Sequence, residues 1–426
     1  MTRIVLAAFG TRGDVAPLTG LGARIRDELG AEVVLAAQRP YERLVTAAGL
    51  TYRCLPGDTE AQTRASNYGQ AVVDGARMRP SKDVLAQMRD DLTGVGEAIA
   101  AAATDAELLL LEGPVGSLLG YHVAEAMDIP SIGVFLQPVS TTTEFAPPPL
   151  TARSFGRLGN QLAWRLGDLG EKVYTPLVDD LRSNLGLPAQ SRRSYQRERA
   201  MTWPILYGFS QHVVAKPADW RDGLSVTGYW WPTDAPGWRP PPEVVEFLQA
   251  GPPPVFVGLG STATGQGERL SSLIVSALRQ AGVRGIIQSG WAGLHGEGAD
   301  VLTVDELPHA WLFPHMAAIV HHGGAGTTAA ALRAGVPSIP VTGIMDQPFW
   351  ARRLCALGAA PKALPRVTLT ADALAASLTE TLSEPGYTQR AQQISGLLRV
   401  EDGAGAAADI IAAHLGHRNT ASSGGR

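Results

Sequence analysis

Short apolar runs of strand length alternate with helical patterns along the chain, which is typical of parallel α/β proteins. The pattern predicts two α/β units of similar size, each built on a parallel sheet. The candidate strands of the first half are residues 4–8, 33–36, 108–111 and 132–136, and those of the second half are residues 255–258, 286–287, 301–304, 318–320 and 338–341.

The first thirty residues have the pattern of a strand, a glycine-containing turn and a helix. Apolar residues recur at helical spacing from Leu18 to Leu29, and Gly30 follows as a helix stop. The pair Gly20 and Gly22 lies inside this helical pattern, whereas a dinucleotide-binding fingerprint needs its glycines in the strand-to-helix turn. We interpret the segment as the first βα unit of a doubly wound sheet.

A proline-rich stretch separates the two series of strands. Eight prolines lie between residues 232 and 254. Proline fixes φ and removes a backbone donor, so the stretch is interpreted as an interdomain linker. The predicted organisation is an N-terminal domain at 1–232, a linker at 233–254, a second domain at 255–403 and a disordered, small and polar tail at 417–426.

Composition narrows the class of protein. The chain has 426 residues, which is longer than one hydrophobic core usually organises, and 45% of them are hydrophobic. The net charge is −4 and the basic residues are scattered, so the electrostatic footprint for nucleic acid or anionic lipid is absent. Cys54 and Cys355 lie far apart outside any CxxC pattern, which excludes a Cys-rich zinc site and gives no sign of a disulfide-dependent secreted fold.

The distribution of apolar residues gives no sign of a secretory signal or of a membrane-spanning helix. The apolar run at residues 4–9 stops at Gly10, too early for the core of a secretory signal. No apolar stretch reaches the roughly 18 residues that a membrane-spanning helix requires. We therefore expect a cytoplasmic protein without stable membrane insertion.

The segment 318–332 is the most informative one. An apolar strand runs into a glycine-rich turn and then a helix, and His321 and Thr327 flank the glycines. Such a turn brings backbone amides and the positive end of a helix dipole to an anion. A turn with a purely structural role is the alternative. His321 and His322 are adjacent and lack a carboxylate at ligand spacing, so we expect no metal site.

The stretch from His321 through residues 335–337 to residues 346–350 resembles the donor-binding signature of family 1 glycosyltransferases. The resemblance implies a GT-B fold, in which two Rossmann-like domains face each other across a cleft, and inverting transfer from a nucleotide sugar without a metal ion. It implies sugar-hydroxyl contacts for Asp346 and Gln347. The diphosphate contacts that it implies are His321, Gly324, Ala325, Gly326 and Thr327.

The first loop, residues 10–15, is similar to that of sterol glucosyltransferases and glycopeptide-antibiotic glycosyltransferases. No histidine precedes His122, and in those branches the residue matching Asp14 is the proposed base, supported here by Thr11, Arg12 and Gly13. The alternative is that Asp14 only caps the first helix. In that case the search for a base moves to Glu112, His122 or Glu144.

Smaller matches extend the resemblance over nearly the whole chain. They imply a diphosphate contact for Ser261 and a nucleoside pocket that includes Trp291 and Val304, although Trp291 could equally belong to the core. In this family a C-terminal helix, here at residues 404–416, returns to the N-terminal domain.

The resulting prediction is a glycosyltransferase that moves a hexose from UDP-glucose or a dTDP-sugar to a hydroxyl of a lipophilic small molecule, such as a sterol or secondary metabolite. The sequence does not decide between UDP and dTDP, and it identifies neither the acceptor nor the oligomeric state. One alternative is a non-catalytic auxiliary partner of another glycosyltransferase, and a second is an epimerase of the same fold.

Overall fold

The computed structural model describes residues 2–73, 81–233, 237–262 and 265–423. Its first half is built on a parallel sheet with strand order β3-β2-β1-β4-β5-β6-β7. The strands are β1 (Arg3–Ala8), β2 (Glu32–Gln38), β3 (Thr51–Leu55), β4 (Leu108–Glu112), β5 (Ser131–Phe135), β6 (Ile205–Tyr207) and β7 (Leu224–Val226).

Helices connect these strands and cover both faces of the sheet. Short 3₁₀ turns lie at Arg39–Tyr41 and Asp168–Tyr174. The α-helices of the first half are α1 (Arg12–Leu29), α2 (Glu42–Ala47), α3 (Thr59–Ala65), α4 (Asn67–Val73), α5 (Lys82–Asp91), α6 (Val95–Ala102), α7 (Pro114–Met127), α8 (Gly156–Gly167), α9 (Thr175–Asn184) and α10 (Arg192–Thr202).

The second half is built on another parallel sheet, of order β10-β9-β8-β11-β12-β13. Its strands are β8 (Val255–Gly258), β9 (Gly285–Gln288), β10 (Val301–Val304), β11 (Ala318–His321), β12 (Ser338–Thr342) and β13 (Leu364–Pro365). Its helices are α11 (Pro242–Gln249), α12 (Gly267–Gln280), α13 (His309–Leu312), α14 (Ala325–Ala334), α15 (Gln347–Ala356), α16 (Ala371–Ser383), α17 (Pro385–Val400) and α18 (Gly403–Ser423), with 3₁₀ turns at Phe313–His315 and Arg366–Thr368.

Strand β1 shows why the strands of these sheets appear in the sequence as continuous apolar runs. Val5 and Ala7 join the hydrophobic cluster on one face, and Ile4 and Leu6 join the cluster on the other. A parallel sheet covered by helices buries both faces, so alternation with polar residues disappears. The predicted α/β fold and all nine predicted strands are therefore confirmed.

The strands missed by the sequence pattern lie toward the sheet edges or are very short. Strand β3 is an edge strand whose central residues are exposed, so it lacks an apolar run. Strands β6 and β7 have three residues each, and β13 has two, one of them a proline. Proline is tolerated at such an edge because no further strand needs its missing N–H.

The last helix packs against the first one. Ala407 and Ile411 of α18 share a hydrophobic cluster with Leu18 of α1. A side chain at Gly20 would collide with the carbonyl oxygen of Trp231, which explains a glycine inside α1. Helix α18 extends past the predicted segment 404–416 to Ser423, into the tail that the sequence predicts to be disordered. Residues 424–426 lie outside the described residues.

Within the described residues, no helix combines the length and the apolar character that crossing a bilayer requires.

Candidate active site

Loops at the carboxyl ends of both parallel sheets carry the candidate site residues. In the first sheet, β1 leads into the loop with Asp14, and β4 ends at Glu112. In the second sheet, β8 precedes Ser261, β11 ends at His321 and β12 precedes Asp346. Ligands of doubly wound sheets bind beyond the carboxyl ends of the strands, so each half presents its binding edge.

Asp14 is the third residue of α1 and takes part in a capping box. Its Oδ2 accepts the Thr11 backbone N–H at 2.6 Å and the Thr11 hydroxyl at 3.0 Å, while Thr11 Oγ1 accepts the Gly13 N–H at 3.2 Å. The N-cap of α1 is therefore Thr11, and Asp14 is its partner at the third helical position instead of the cap itself. Burial raises the pKa of Asp14, although the Thr11 hydrogen bonds oppose that rise. A carboxylate with a raised pKa is a better base than a free aspartate.

Glu112 ends β4 opposite Ala8, the last residue of β1, and is more deeply buried than Asp14. Its side chain is 3% exposed, and Oε2 has no hydrogen-bond partner among the described residues. Burial, and then the negative charge of Asp14, raise the pKa of Glu112 well above its usual value. The sequence analysis gives Glu112 only as a candidate base in case Asp14 is not the base. The apolar pattern shows that β4 ends at this residue, but it does not show that the carboxyl is buried.

The glycine-rich turn after β11 leaves the start of α14 open to an anion. Gly324 is the N-cap and supplies no side-chain cap for the first turn. The backbone N–H groups of Ala325, Gly326 and Thr327 come before the first intrahelical donor, Thr328, whose N–H is bonded to the Gly324 carbonyl at 3.0 Å. An uncapped helix start of this kind suits a phosphate group.

The two adjacent histidines point in different directions. His321 is fully buried in β11, and its Nδ1 accepts the Gly323 N–H at 3.1 Å. His322 is partly exposed, and its ring lies against two glycine loops: a Cβ at Gly260 would lie 2.8 Å from its Cε1, and one at Gly324 would meet the same ring. The ring of His322, a residue that the sequence interpretation did not assign to the diphosphate, therefore lies between the turns at Gly260 and Gly324.

Both imidazoles are neutral near pH 7. Burial lowers the pKa of His321 to about 3 and that of His322 to about 4, and the Arg366 guanidinium adds to the shift of His322. The Nδ1 atom of His322 has no hydrogen-bond partner among the described residues. A neutral imidazole there can still donate one N–H to an anionic oxygen.

Asp346 and Gln347 lie side by side at the start of α15. Asp346 Oδ2 accepts the Trp350 indole N–H at 2.8 Å, and Gln347 Oε1 accepts the Gly343 N–H at 2.8 Å. The preceding Met345 has a left-handed backbone, φ 61°, which is strained for a side chain of this size. These bonds fix the orientation of both side chains at the start of α15.

The two halves meet around this site. Arg12 of α1 forms an ion pair with Glu306, and the rings of Phe145 and Phe349 lie 5.5 Å apart. Burial raises the pKa of Asp346 to about 6, and the negative charge of Asp14, from the other half, contributes to that rise. Helix α1, whose first turn holds Asp14, contacts α14, and α14 contacts α15, whose N-cap is Asp346.

The remaining predicted contacts divide into two groups. Ser261 follows β8 next to the Gly260 turn, and the Trp291 N–H is bonded to the Gly260 carbonyl at 3.1 Å, so these residues lie near the anion site. Arg64 from the first half donates to the Trp291 carbonyl at 2.9 Å. Val304 is packed in a hydrophobic cluster, and its carbonyl accepts the Ser289 N–H.

Two reserve candidates for the base have other partners. His122 is buried against the Arg182 guanidinium, with 2.9 Å between Nδ1 and Nη1. Glu144 accepts the Ala218 N–H at 2.9 Å. In the part of the chain that the structure describes, no three His, Cys, Asp or Glu side chains are grouped so as to hold a metal ion.

The architecture resembles that of solved glycosyltransferases. The kitacinnamycin glycosyltransferase has a TM-score of 0.70 at 21% identity, covering 97% of this chain and 99% of its own. The glycosyltransferase VinC, solved in complex with dTDP, has a TM-score of 0.63 at 20% identity over 98% of this chain and 100% of its own. At these identities the likeness establishes the two-sheet GT-B fold.

Sequence relatives establish the family. Residues 294–401 match the family model described as erythromycin biosynthesis protein CIII-like, C-terminal domain. O-mycaminosyltylonolide 6-deoxyallosyltransferase of Streptomyces fradiae is 35% identical, over 98% of this chain and 99% of that enzyme. Sterol 3-beta-glucosyltransferase UGT80A2 of Arabidopsis thaliana is 33% identical over 97% of this chain, which spans 66% of the plant enzyme. The chain therefore belongs to the family 1 glycosyltransferases, inverting enzymes of the GT-B fold.

Proposed function

We propose that this glycosyltransferase moves a hexose from a UDP- or dTDP-linked donor to a hydroxyl of a lipophilic small molecule, such as a sterol or a macrolide-like metabolite. The observation that carries the proposal is the contact between α1, whose first turn holds Asp14, and α14, whose uncapped start lies in the other half next to α15 and its N-cap Asp346. A base, a sugar contact and an anion site in one cleft are the parts that displacement at a sugar carbon requires.

The diphosphate would bind at the start of α14. The N–H groups of residues 325–327, the Thr327 hydroxyl, the Ser261 hydroxyl and the His322 ring are the donors available there. As the bond between C1 and the diphosphate oxygen breaks, these donors and the helix dipole stabilise the charge that develops on the leaving group. Buried His321 supports this turn from within.

The acceptor would bind on the side of Asp14. In one step the acceptor oxygen bonds to C1, its proton passes to Asp14 Oδ, and the diphosphate leaves from the opposite face. Closure of the cleft raises the basicity of Asp14 and aligns the reactants. Asp346 and Gln347 would hold ring hydroxyls of the sugar, which favours a hexose that keeps them over a heavily deoxygenated sugar.

The relatives support a transferase over the two alternatives. Those with 35% and 33% identity are named for transfer to O-mycaminosyltylonolide and to a sterol, respectively. An auxiliary protein or an epimerase is therefore not favoured. The discriminating experiment incubates the chain with UDP-glucose and dTDP-sugars beside a panel of sterol and macrolide alcohols, and identifies products by mass spectrometry. Donor hydrolysis without any glycoside across the panel would contradict the proposal.

His322→Ala is expected to weaken the binding of free UDP or dTDP about tenfold, the usual cost of one hydrogen bond to a charged group. His321→Ala is instead expected to lower the melting temperature, because it removes a fully buried ring. Calorimetry and thermal unfolding of both variants separate the two roles.

The exposed His315 offers a matched control, since His315→Ala should change neither quantity. Unchanged nucleotide affinity in a folded His322→Ala variant, with weakened affinity in His321→Ala, would assign the phosphate contact to His321 instead.

A further inference from the structure

A fully buried arginine lies beside the loop that leads into the proposed sugar contacts. Arg366 is 0% exposed and directly follows β13, whose Pro365 is paired in register with Thr342 of β12. The register therefore makes Arg366 a neighbour of Gly343, the first residue of the loop between β12 and α15. A charged side chain is rarely buried so completely, because its transfer out of water is costly. The proposed reaction gives Arg366 no role.

The Arg366 guanidinium is packed directly against Gly343. A Cβ at Gly343 would lie 2.9 Å from Nη2 of Arg366, 3.2 Å from its Cζ and 3.1 Å from Oε1 of Gln347. The backbone of Gly343 is outside the left-handed region, so it is these contacts that exclude a side chain. A buried guanidinium cannot swing away as an exposed one could. The guanidinium and the Gln347 carboxamide oxygen therefore border the same point of the loop.

These contacts determine which end of the Gln347 carboxamide points inward. Its Oε1 accepts the Gly343 N–H at 2.8 Å. A guanidinium is purely a donor, so an inward NH₂ group would face the donors of both Gly343 and Arg366, whereas an inward oxygen can accept from them. The Nε2 group is at the opposite end of the carboxamide, where its hydrogens can serve a ligand.

A second contact ties the same loop to the glycine-rich turn after β11. A Cβ at Gly323 would lie 3.0 Å from the Gln347 carbonyl oxygen and 3.4 Å from Cγ2 of Thr342. Within the loop, Met345 has a left-handed backbone, φ 61°, and such a conformation persists only where the surrounding structure fixes it. The turn at Gly323 and the buried Arg366 are two of the groups that fix it.

We propose that Arg366 is a positioning residue for the donor sugar: its guanidinium holds the Gln347 carboxamide with Oε1 inward, so that Nε2 donates to the oxygen of a ring hydroxyl. The inference rests on the proposed role of Asp346 and Gln347 as sugar contacts. A carboxylate only accepts and an NH₂ group only donates, so the pair offers complementary contacts to hydroxyls, which do both. Arg366 acts through Gln347 and does not itself contact the sugar.

The test is a double-mutant cycle of Arg366→Met and Gln347→Ala. Methionine fills much of the space of the buried arginine stem but donates no hydrogen bond. We expect Arg366→Met to lower kcat/KM for the nucleotide sugar about tenfold, while free UDP or dTDP binds within about threefold of the wild-type affinity. We expect no further loss when Arg366→Met is added to Gln347→Ala, because Arg366 acts only through that carboxamide.

Gly343→Ala is a second variant, which keeps the arginine and tests the proposal if Arg366→Met does not fold. Its methyl group would occupy the point that the guanidinium and Oε1 share, so we expect the same loss of kcat/KM with normal nucleotide binding. Gly396→Ala is the matched control, since among the described residues a Cβ there would meet no atom of another segment within 4 Å. Arg279→Met, at an exposed arginine of α12, controls for the loss of a guanidinium. Melting temperatures establish that each variant is folded.

Additive losses in the double variant would overturn the proposal, since they would show that Arg366 affects transfer by a route other than Gln347. A loss of affinity for free nucleotide in Arg366→Met as large as its loss of kcat/KM would also overturn it, by assigning the buried charge to the diphosphate. If Gln347→Ala transfers sugar at the wild-type rate, the proposed sugar contact itself fails. If Gln347→Ala is impaired but Arg366→Met and Gly343→Ala behave like the wild type, the role of Arg366 fails alone.

Discussion

Asp14→Asn is expected to lower the rate of sugar transfer at least about a hundredfold, the usual scale for loss of a general base. The asparagine oxygen can still accept the Thr11 hydrogen bonds that hold the start of α1, so the fold and the melting temperature should be kept. It cannot take the proton of the acceptor hydroxyl. Initial rates with saturating donor and acceptor, together with calorimetry of free nucleotide, measure the two effects separately.

Asp27 on the same helix is the matched control. It is exposed and paired with Arg26, so Asp27→Asn should leave transfer unchanged. If Asp14→Asn keeps most of the wild-type rate across neutral pH, Asp14 serves only as the partner of Thr11 in the capping box.

Asp346→Ala and Gln347→Ala are each expected to lower transfer by about ten- to a hundredfold while free UDP or dTDP binds normally. Each change removes hydrogen bonds to the sugar, and those made to or by a charged group contribute about 1.5–3 kcal/mol. The diphosphate contacts at α14 are untouched. Comparing kcat/KM for the nucleotide sugar with the Kd of the free nucleotide isolates the effect on the sugar.

Asp346→Asn refines this test, because its oxygen can still accept the Trp350 indole N–H and so preserves the start of α15. Asp372→Ala, at an exposed site in the first turn of α16, controls for the loss of a carboxylate elsewhere in the same half. Wild-type turnover in both alanine variants would remove the pair from the sugar site.

The sheets could be predicted because burial on both faces makes parallel strands visible as apolar runs. The βα loops followed from the same pattern, since the glycines near Asp14 and Gly324 mark where strands end and helices begin. The family resemblance then assigned roles to residues that the structure brings to the carboxyl ends of the strands. Asp14 lies in the first turn of α1, which contacts α14, and α14 in turn contacts α15, whose N-cap is Asp346.

Direction and burial of single side chains could not be predicted in the same way. At the end of β11 neighbouring side chains point to opposite faces, so the sequence alone does not tell whether His321 or His322 faces the anion turn. Glu112 ends an apolar strand, and that pattern does not show that the residue is buried or that its Oε2 lacks a hydrogen-bond partner among the described residues. Val304, which the resemblance places in the nucleoside pocket, packs in a hydrophobic cluster, and its burial likewise could not be seen in the sequence.

The central claim is a single displacement at the sugar C1, with Asp14 and the start of α14 on opposite sides of the reacting carbon. The anomeric configuration of the glycoside, determined by proton NMR on the product made from an α-linked nucleotide sugar and a lipophilic alcohol, tests it most directly. The account predicts the β-linked product from the wild type and a corresponding loss of that product with Asp14→Asn. An α-linked product would contradict a single displacement in this cleft.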